Sequence, residues 1–427
     1  MQKHVAVSAA QSAVSVRTLT TARGLSVWLV ESHAVPLISL EFAVRGGASQ
    51  DPPDKAGLGM MATSLLDEGA GDLNSQAFHR ALDEKAVEIS FHNDRDATFG
   101  RMRTLVKNLD RAVELMRMAV NAPRFDEEPF QRVREHANAR LRNDANDPET
   151  IAAKTWRAKA FSGHPYAQPV DGSLETLARI ERADLVDFAR RILARDRLVI
   201  AIVGAVDEKG AADLADRIFA DLPAKGDLEP VAELNFKGLG ATEIIPLDVP
   251  QSTIRFGRPA LKRDDPDFIA SIVAAHVLGG QGNMTSRLFR EVREKRGLAY
   301  TVFGVFHALD HGGYFYGGTT TKNERARESF EVAAHEIRDV ALNGLSEQEL
   351  EKGKTYLIGS YPLRFDTSSK IASQLVHIQL ERRGTEWLVE RNRLIAAVTA
   401  RDLKRAAERA FGDGSLFTAM VGKPEGF

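Results

Sequence analysis

The chain has 427 residues, 43% hydrophobic and 27% charged, with a formal net charge of −2 and no cysteine. That length exceeds one ordinary hydrophobic core and fits two domains of roughly 200 residues each. The interspersed charge leaves no electrostatic footprint for nucleic acid or an acidic membrane surface, and the missing cysteine excludes disulfides, thiolate nucleophiles and Cys-ligated zinc together.

The chain opens with "MQKHVAVSAAQSAVSV", which has a charge near its front and no continuous apolar stretch, so it is not a signal peptide as written. Its Ala/Ser/Val-rich make-up fits the start of a mature exported protein, and a periplasmic location is expected over a cytoplasmic one. The longest apolar runs, such as "LVIAIV" at 198–203, are strand-sized and short of the roughly 20 residues a membrane span needs, so no membrane partner is expected. After a first long strand comes "AGLGMMATSLL", 56–66, with the apolar spacing of a buried helix and no side chain able to do chemistry. In "VEISFHNDRDATFGRMRTL", Val87, Ile89 and Phe91 alternate with polar residues before an Asn-Asp-Arg-Asp turn, which predicts a hairpin. Helical periodicity follows over 107–121 and 126–146.

A stretch without periodicity at 223–238, holding two prolines and two glycines with the residues just before it, is expected to link an N-terminal domain, 1–222, to a C-terminal domain, 239–427. The second half repeats the first. Ile180 to Gly204 aligns without a gap on Val398 to Gly422, and Asp184/Asp402, Leu185/Leu403, Ala189/Ala407, Arg191/Arg409, Leu198/Leu416, Ala201/Ala419, Val203/Val421 and Gly204/Gly422 are identical. Each copy reads as an N-capped helix, a turn and an apolar strand ending in glycine. A weaker match sets Val35-Pro36 and Phe42 against Val249-Pro250 and Phe256. A second hairpin, "YTVFGVFHALDHGGYFYGGTTT", turns at about 308–313. Helices that follow hairpins, rather than alternating singly with strands, predict α+β domains: two homologous copies of a mostly antiparallel sheet with helices on one face.

Candidate chemistry is sparse. Only His307 and His311 have the four-residue spacing of a helical zinc pair, and they straddle a hairpin tip before Gly312-Gly313, which reads as a solvated turn. "LGGQGNMTSRLF", 278–289, lacks the Gly-Lys-Ser/Thr of a phosphate loop, "REH" at 134–136 reads as a charged helix face, and no G-x-S-x-G elbow exists. There remains "SRLFREVREKRGLAYTV", 286–302: a helix with Leu288 and Val292 on its apolar face, ended by Gly297, then a strand from near Tyr300. Taken singly, Arg293 is a solvated charge and Tyr300 a half-buried strand aromatic.

This stretch, together with "DKAGLGMMATSLLDEGA", "HPYAQPVDG" at 164–172 and the doubled domain, resembles the pitrilysin/insulinase family of zinc peptidases, the inverzincins, in its processing-peptidase-like branch. The resemblance covers essentially the whole chain. It implies that Arg293 and Tyr300 reach toward a zinc-bound substrate. It also implies a loss: the family's H-x-x-E-H, laid on this sequence, puts Met60 and Ser64 at the histidine ligands and Thr63 at the glutamate base. The third ligand, a glutamate on a later long helix, falls near Ala139 to Leu141, where "HANARLRN" contains no acid. The resemblance therefore implies no cofactor in this chain, zinc in a homologous H-x-x-E-H partner subunit forming a heterodimer, and an unstructured peptide as substrate. The alternatives are an inactive structural or peptide-binding protein of the same fold, and a homodimeric zinc peptidase with ligands around His307 and His311.

Overall fold

The computed structural model describes residues 14–280 and 282–427. Most of the Ala/Ser-rich start, on which the periplasmic expectation rests, and Gln281 of "LGGQGNMTSRLF" lie outside the described residues. In chain order the first half gives β1 (Arg17–Thr20), β2 (Ser26–Glu31), β3 (Leu37–Arg45), α1 (Leu58–Thr63), β4 (Gly69–Ala70), β5 (Leu73–Asn74), α2 (Ser75–Lys85), β6 (Glu88–Asn93), β7 (Ala97–Leu105), α3 (Leu109–Asn121), α4 (Glu127–Asp144), α5 (Pro148–Ala160), α6 (Leu174–Arg179), α7 (Arg182–Ile192), β8 (Leu198–Gly204) and α8 (Glu208–Phe219). The second gives β9 (Thr242–Pro246), β10 (Gln251–Ala260), α9 (Phe268–Gly279), a π-helical turn at Phe289–Glu294, β11 (Ala299–Leu309), β12 (Gly312–Lys322), α10 (Ala326–Asn343), α11 (Glu347–Gly359), α12 (Ser368–Leu380), α13 (Trp387–Ala397), α14 (Ala400–Phe411) and β13 (Phe417–Gly422).

These elements form two compact units, neither of them a continuous stretch. One comprises 1–141, 168–230 and 361–390, the other 142–167, 231–360 and 391–427. The first is built on a sheet of order β1-β2-β8-β3-β7-β6, the second on β11-β12-β10-β13-β9. Strand for strand the orders agree, with β1 extra. In each unit the pair formed by the first matching strand and the last, β2 with β8 and β9 with β13, is parallel, while the other pairings are antiparallel.

The repeat seen in the sequence has a physical cause at each shared position. Glu181 and Asp184 form a capping box at the start of α7, as Thr399 and Asp402 do for α14, so donors left open by the first helical turn are paired. Phe42 and Phe256, at most 1% exposed, occupy equivalent places in the two cores, and burying each contributes roughly 1.5–3 kcal/mol. Gly204 and Gly422 end equivalent strands at φ +140° and +133°. A Cβ at Gly204 would lie 2.1 Å from the Leu37 carbonyl oxygen, and one at Gly422 would lie 2.9 Å from that of Gln251.

In the first unit one face of the sheet, with Ile38, Leu40, Phe42 and Val44, forms a common core with α1–α4, α7 and α8. The opposite face takes α12, supplied by the second half of the chain. Ser39 on β3 hydrogen-bonds Ser369 (3.2 Å), Gln379 donates to the Ile200 carbonyl (3.2 Å), and Arg45 donates to the Leu380 carbonyl. In the second unit the core around Ile254 and Phe256 takes α9, α10 and α14. Its opposite face takes α5 from the first half: Trp156 packs on Tyr314, Tyr316 and Phe417 and donates its indole N–H to the Phe417 carbonyl (3.0 Å). The α+β reading holds, and each sheet gains one further helix on its second face.

Candidate functional site

The helix α1 that the resemblance matches to a metal-binding helix is built for packing. Its entry at Gly57 is left-handed (φ +95°), and the Asp51 carboxylate accepts the N–H groups of Gly57 and Gly59, each at 2.9 Å. Burial pushes the Asp51 carboxyl up to about 7, against these hydrogen bonds. Thr63 is 3% exposed, and its hydroxyl donates to the carbonyls of Gly59 (2.9 Å) and Met60 (3.0 Å). Met60 packs on the first core, and the Ser64 hydroxyl faces its sulfur at 3.8 Å. Near the third position, Leu141 is buried and Arg140 pairs with Asp171 at 2.7 Å. A thioether and two hydroxyls, one of them already donating to backbone within the helix, do not fit zinc, which takes imidazole, thiolate or carboxylate ligands. Among the described residues no group of three or more His, Asp or Glu is placed to hold a metal ion.

His307 and His311 do not share a helical face. His307 lies on β11, stacked on Tyr314 with ring centroids 4.9 Å apart, and His311 sits in the following turn, its backbone N–H donating to the Tyr166 hydroxyl at 3.2 Å.

Arg293 and Tyr300 are brought together in the second unit. The helix that presents Arg293 buries Leu288 and Val292 completely. At its root, Arg287 bonds Glu349 (2.7 and 2.8 Å) and Asp339 (2.6 Å), which ties the turn to α10 and α11. Burial raises the Glu349 carboxyl, but hydrogen bonds from Arg287 and Ser346 outweigh it and hold the group at about 2. Glu291 shows the same balance: burial opposes, and Lys295, Arg296 and Arg290 hold it at about 2. The last turn is π-helical, with the Lys295 N–H donating to the Arg290 carbonyl at 2.9 Å. Gly297 then ends the helix at φ +59°, the Leu298 N–H returns to the Val292 carbonyl at 2.9 Å, and β11 starts at Ala299, one residue before Tyr300.

This geometry lays the Arg293 guanidinium over two rings, 4.3 Å from the Tyr300 centroid and 4.8 Å from that of Phe289. Tyr300 is 76% exposed and lies on β11, an edge strand of its sheet. The pair borders a cleft of about 370 Å³. Two of its lining residues, Arg255 on β10 and Glu149 on the first turn of α5, carry no motif in the sequence, and only the placement of α5 on this sheet brings them together at 3.3 Å.

A family model described as Insulinase (Peptidase family M16) matches residues 27–173, and one described as Peptidase M16 inactive domain matches 179–357. The chain is 26% identical over 343 residues to a protein of Helicobacter pylori named Non-peptidase homolog YmxG, spanning 79% of this chain and 78% of that one. It is 27% identical over 402 residues to one of Mycobacterium bovis named Uncharacterized zinc protease Mb2805c, spanning 93% and 91%. Its fold matches the crystal structure of a peptidase M16 inactive domain from Pseudomonas fluorescens with a TM-score of 0.90 at 24% identity, over 96% of this chain and 98% of that one. With its two domain models, its doubled sheet and relatives along most of its length, the chain belongs to the insulinase (M16) peptidase family.

Proposed function

We propose that this chain is the non-zinc subunit of a heterodimeric zinc metallopeptidase. A homologous partner carrying H-x-x-E-H brings the zinc and the glutamate base. This chain brings Arg293, Tyr300 and part of the chamber that takes unstructured peptides. The observation that carries the reading is a contrast: the ligand positions hold Met60, Thr63 and Ser64 packed as ordinary helix residues, while Arg293 and Tyr300 are kept, stacked and open to a cleft.

Each residue of the pair has a definite task. The Tyr300 phenol, largely free of neighbours, donates a hydrogen bond to the peptide oxygen that becomes negative as its carbonyl carbon is attacked. Arg293 donates to a neighbouring substrate carbonyl and, lying flat on the Tyr300 ring, keeps the phenol on the cleft side. The peptide lies as an added strand along a sheet edge, where backbone hydrogen bonds give affinity that tolerates many sequences. The Helicobacter relative named a non-peptidase homolog favours a second reading, an inactive structural or peptide-binding protein of this fold. Such a protein has no use for the phenol. Removing one oxyanion donor typically lowers kcat by about 10²-fold or more, so Tyr300→Phe in the assembled enzyme loses well over tenfold in peptide hydrolysis at unchanged assembly. Equal hydrolysis by the variant and the parent overturns the catalytic role.

A further inference from the structure

Arg255 is an unusual residue for its place. It sits mid-strand on β10, paired with Gly318 of β12 on one side and Ala419 of β13 on the other. Its side chain is 8% exposed. It runs sideways over Gly318, where an added Cβ would lie 2.5 Å from Nη1, and reaches Phe303 on the edge strand β11, with the guanidinium carbon 5.6 Å from the ring centroid. The glycine makes the passage possible. The guanidinium is thereby delivered from the middle of the sheet to the cleft bordered by Arg293 and Tyr300.

Its partners do not match its burial. Nη1 donates to the Ile254 carbonyl (3.3 Å), the side chain also hydrogen-bonds the neutral Tyr316 phenol, and the one carboxylate in ion-pair range among the described residues is Glu149, whose side chain is 59% exposed. A buried guanidinium needs a well-placed carboxylate to offset its desolvation, and a pair half in water is weakened by screening. The other acid that acts on Arg255, Asp147, is already engaged as the N-cap of α5, accepting the Thr150 N–H at 2.8 Å. Arg293, lying between its two rings, has no carboxylate within 4 Å among the described residues. The cleft thus holds two guanidiniums against one exposed carboxylate.

We infer that this cleft selects peptides bearing a carboxylate beside the segment held at Tyr300, with Arg255 as the specificity-determining residue and Glu149 as an internal stand-in that the ligand carboxylate displaces. The inference rests on the functional reading above and adds the substrate class to it. A carboxylate entering the cleft can bind the Arg255 fork in two places and be held there out of water, whereas Glu149 meets it at 3.3 Å from a mostly exposed side chain. A lysine or arginine side chain would instead compete with two guanidiniums for one carboxylate.

The test is direct binding of fluorescently labelled short peptides, identical except for one central Glu, Gln or Lys, to the full chain by anisotropy. The Glu peptide binds about tenfold or more tighter than the Gln peptide, as a charged hydrogen bond of this kind provides, and the Lys peptide binds weakest. Glu149→Gln, a change at an exposed side chain, strengthens the preference several-fold. Arg255→Gln abolishes it, and Arg255→Lys retains part of it. Equal binding of Glu and Gln peptides by the Glu149→Gln variant, or no binding of any peptide, overturns the inference. Hydrolysis of all three peptides alike by the assembled enzyme would leave the functional reading standing without it, whereas acid-selective binding with no hydrolysis would sink that reading and keep the selectivity.

Discussion

Arg293 and Tyr300 owe their arrangement to the six residues between them. The π-helical turn and Gly297 set the reversal that lays the guanidinium on the phenol ring. Spacing in the sequence indicated a helix, its glycine end and a strand, and the resemblance named the two side chains. It gave no contact between them. A planar guanidinium stacks on a ring as an ammonium does not. Arg293→Lys therefore keeps the charge and loses the flat contact, and kcat/KM of the assembled enzyme falls several-fold, the worth of a contact of about 0.5–1 kcal/mol at an exposed ring. Wild-type kinetics for this variant would show that only the charge matters. At α1 the residue-scale finding is the reverse: Thr63 and Ser64 are polar, yet the Thr63 hydroxyl is satisfied by the helix backbone and Ser64 only brushes the Met60 sulfur, so polarity there carries no chemistry.

Two kinds of local feature stabilise the units. The first is the strand-ending glycine common to both units. Gly422→Ala forces a left-handed φ on an alanine and costs about 1–3 kcal/mol. Gly204→Ala adds a 2.1 Å clash with the Leu37 carbonyl and costs more. Denaturant unfolding of the two variants checks the order, and equal losses would contradict it. The second is the Arg287 anchor under the helix of Arg293. The Glu349 carboxyl titrates at 4.5 when unfolded and at about 2 when folded, because its bonds to Arg287 and Ser346 outweigh burial. A lowered folded value means that its stabilisation is full above pH 4.5 and lost as pH falls toward 2, by up to about 3 kcal/mol. Glu349→Gln lowers stability at neutral pH and flattens the acid limb between those values, and an unchanged acid limb would show that the anchor contributes nothing.

Local elements were the legible ones. Hairpins at 94–96 and 310–311, the capping boxes of α7 and α14 and the glycine ends follow from neighbours in sequence. The exchange of α5 and α12 between sheets was not legible. Both helices have weakly segregated apolar faces, and which sheet they cover depends on contacts such as Trp156 with Phe417 and Gln379 with Ile200, far apart along the chain. Arg255 and Glu149 were hidden for the same reason. Their meeting depends on α5 covering the sheet of the other half.

At the scale of the whole molecule, the chain is one fold used twice, with a packed helix where the family's ligands fall in the first copy and an open Arg/Tyr cleft in the second. A defect confined to one ligand position would leave two of three donors in place. Here the replacements extend from Met60, Thr63 and Ser64 on α1 to the segment Ala139–Leu141 on α4, which points to a chain relieved of metal chemistry as a whole. The most direct test is to purify this chain and an H-x-x-E-H partner separately, measure zinc in each, and assay peptide hydrolysis alone and after mixing. The account predicts zinc in the partner only and hydrolysis in the mixture only; stoichiometric zinc or hydrolysis in this chain alone, or a mixture no more active than the partner by itself, would contradict it.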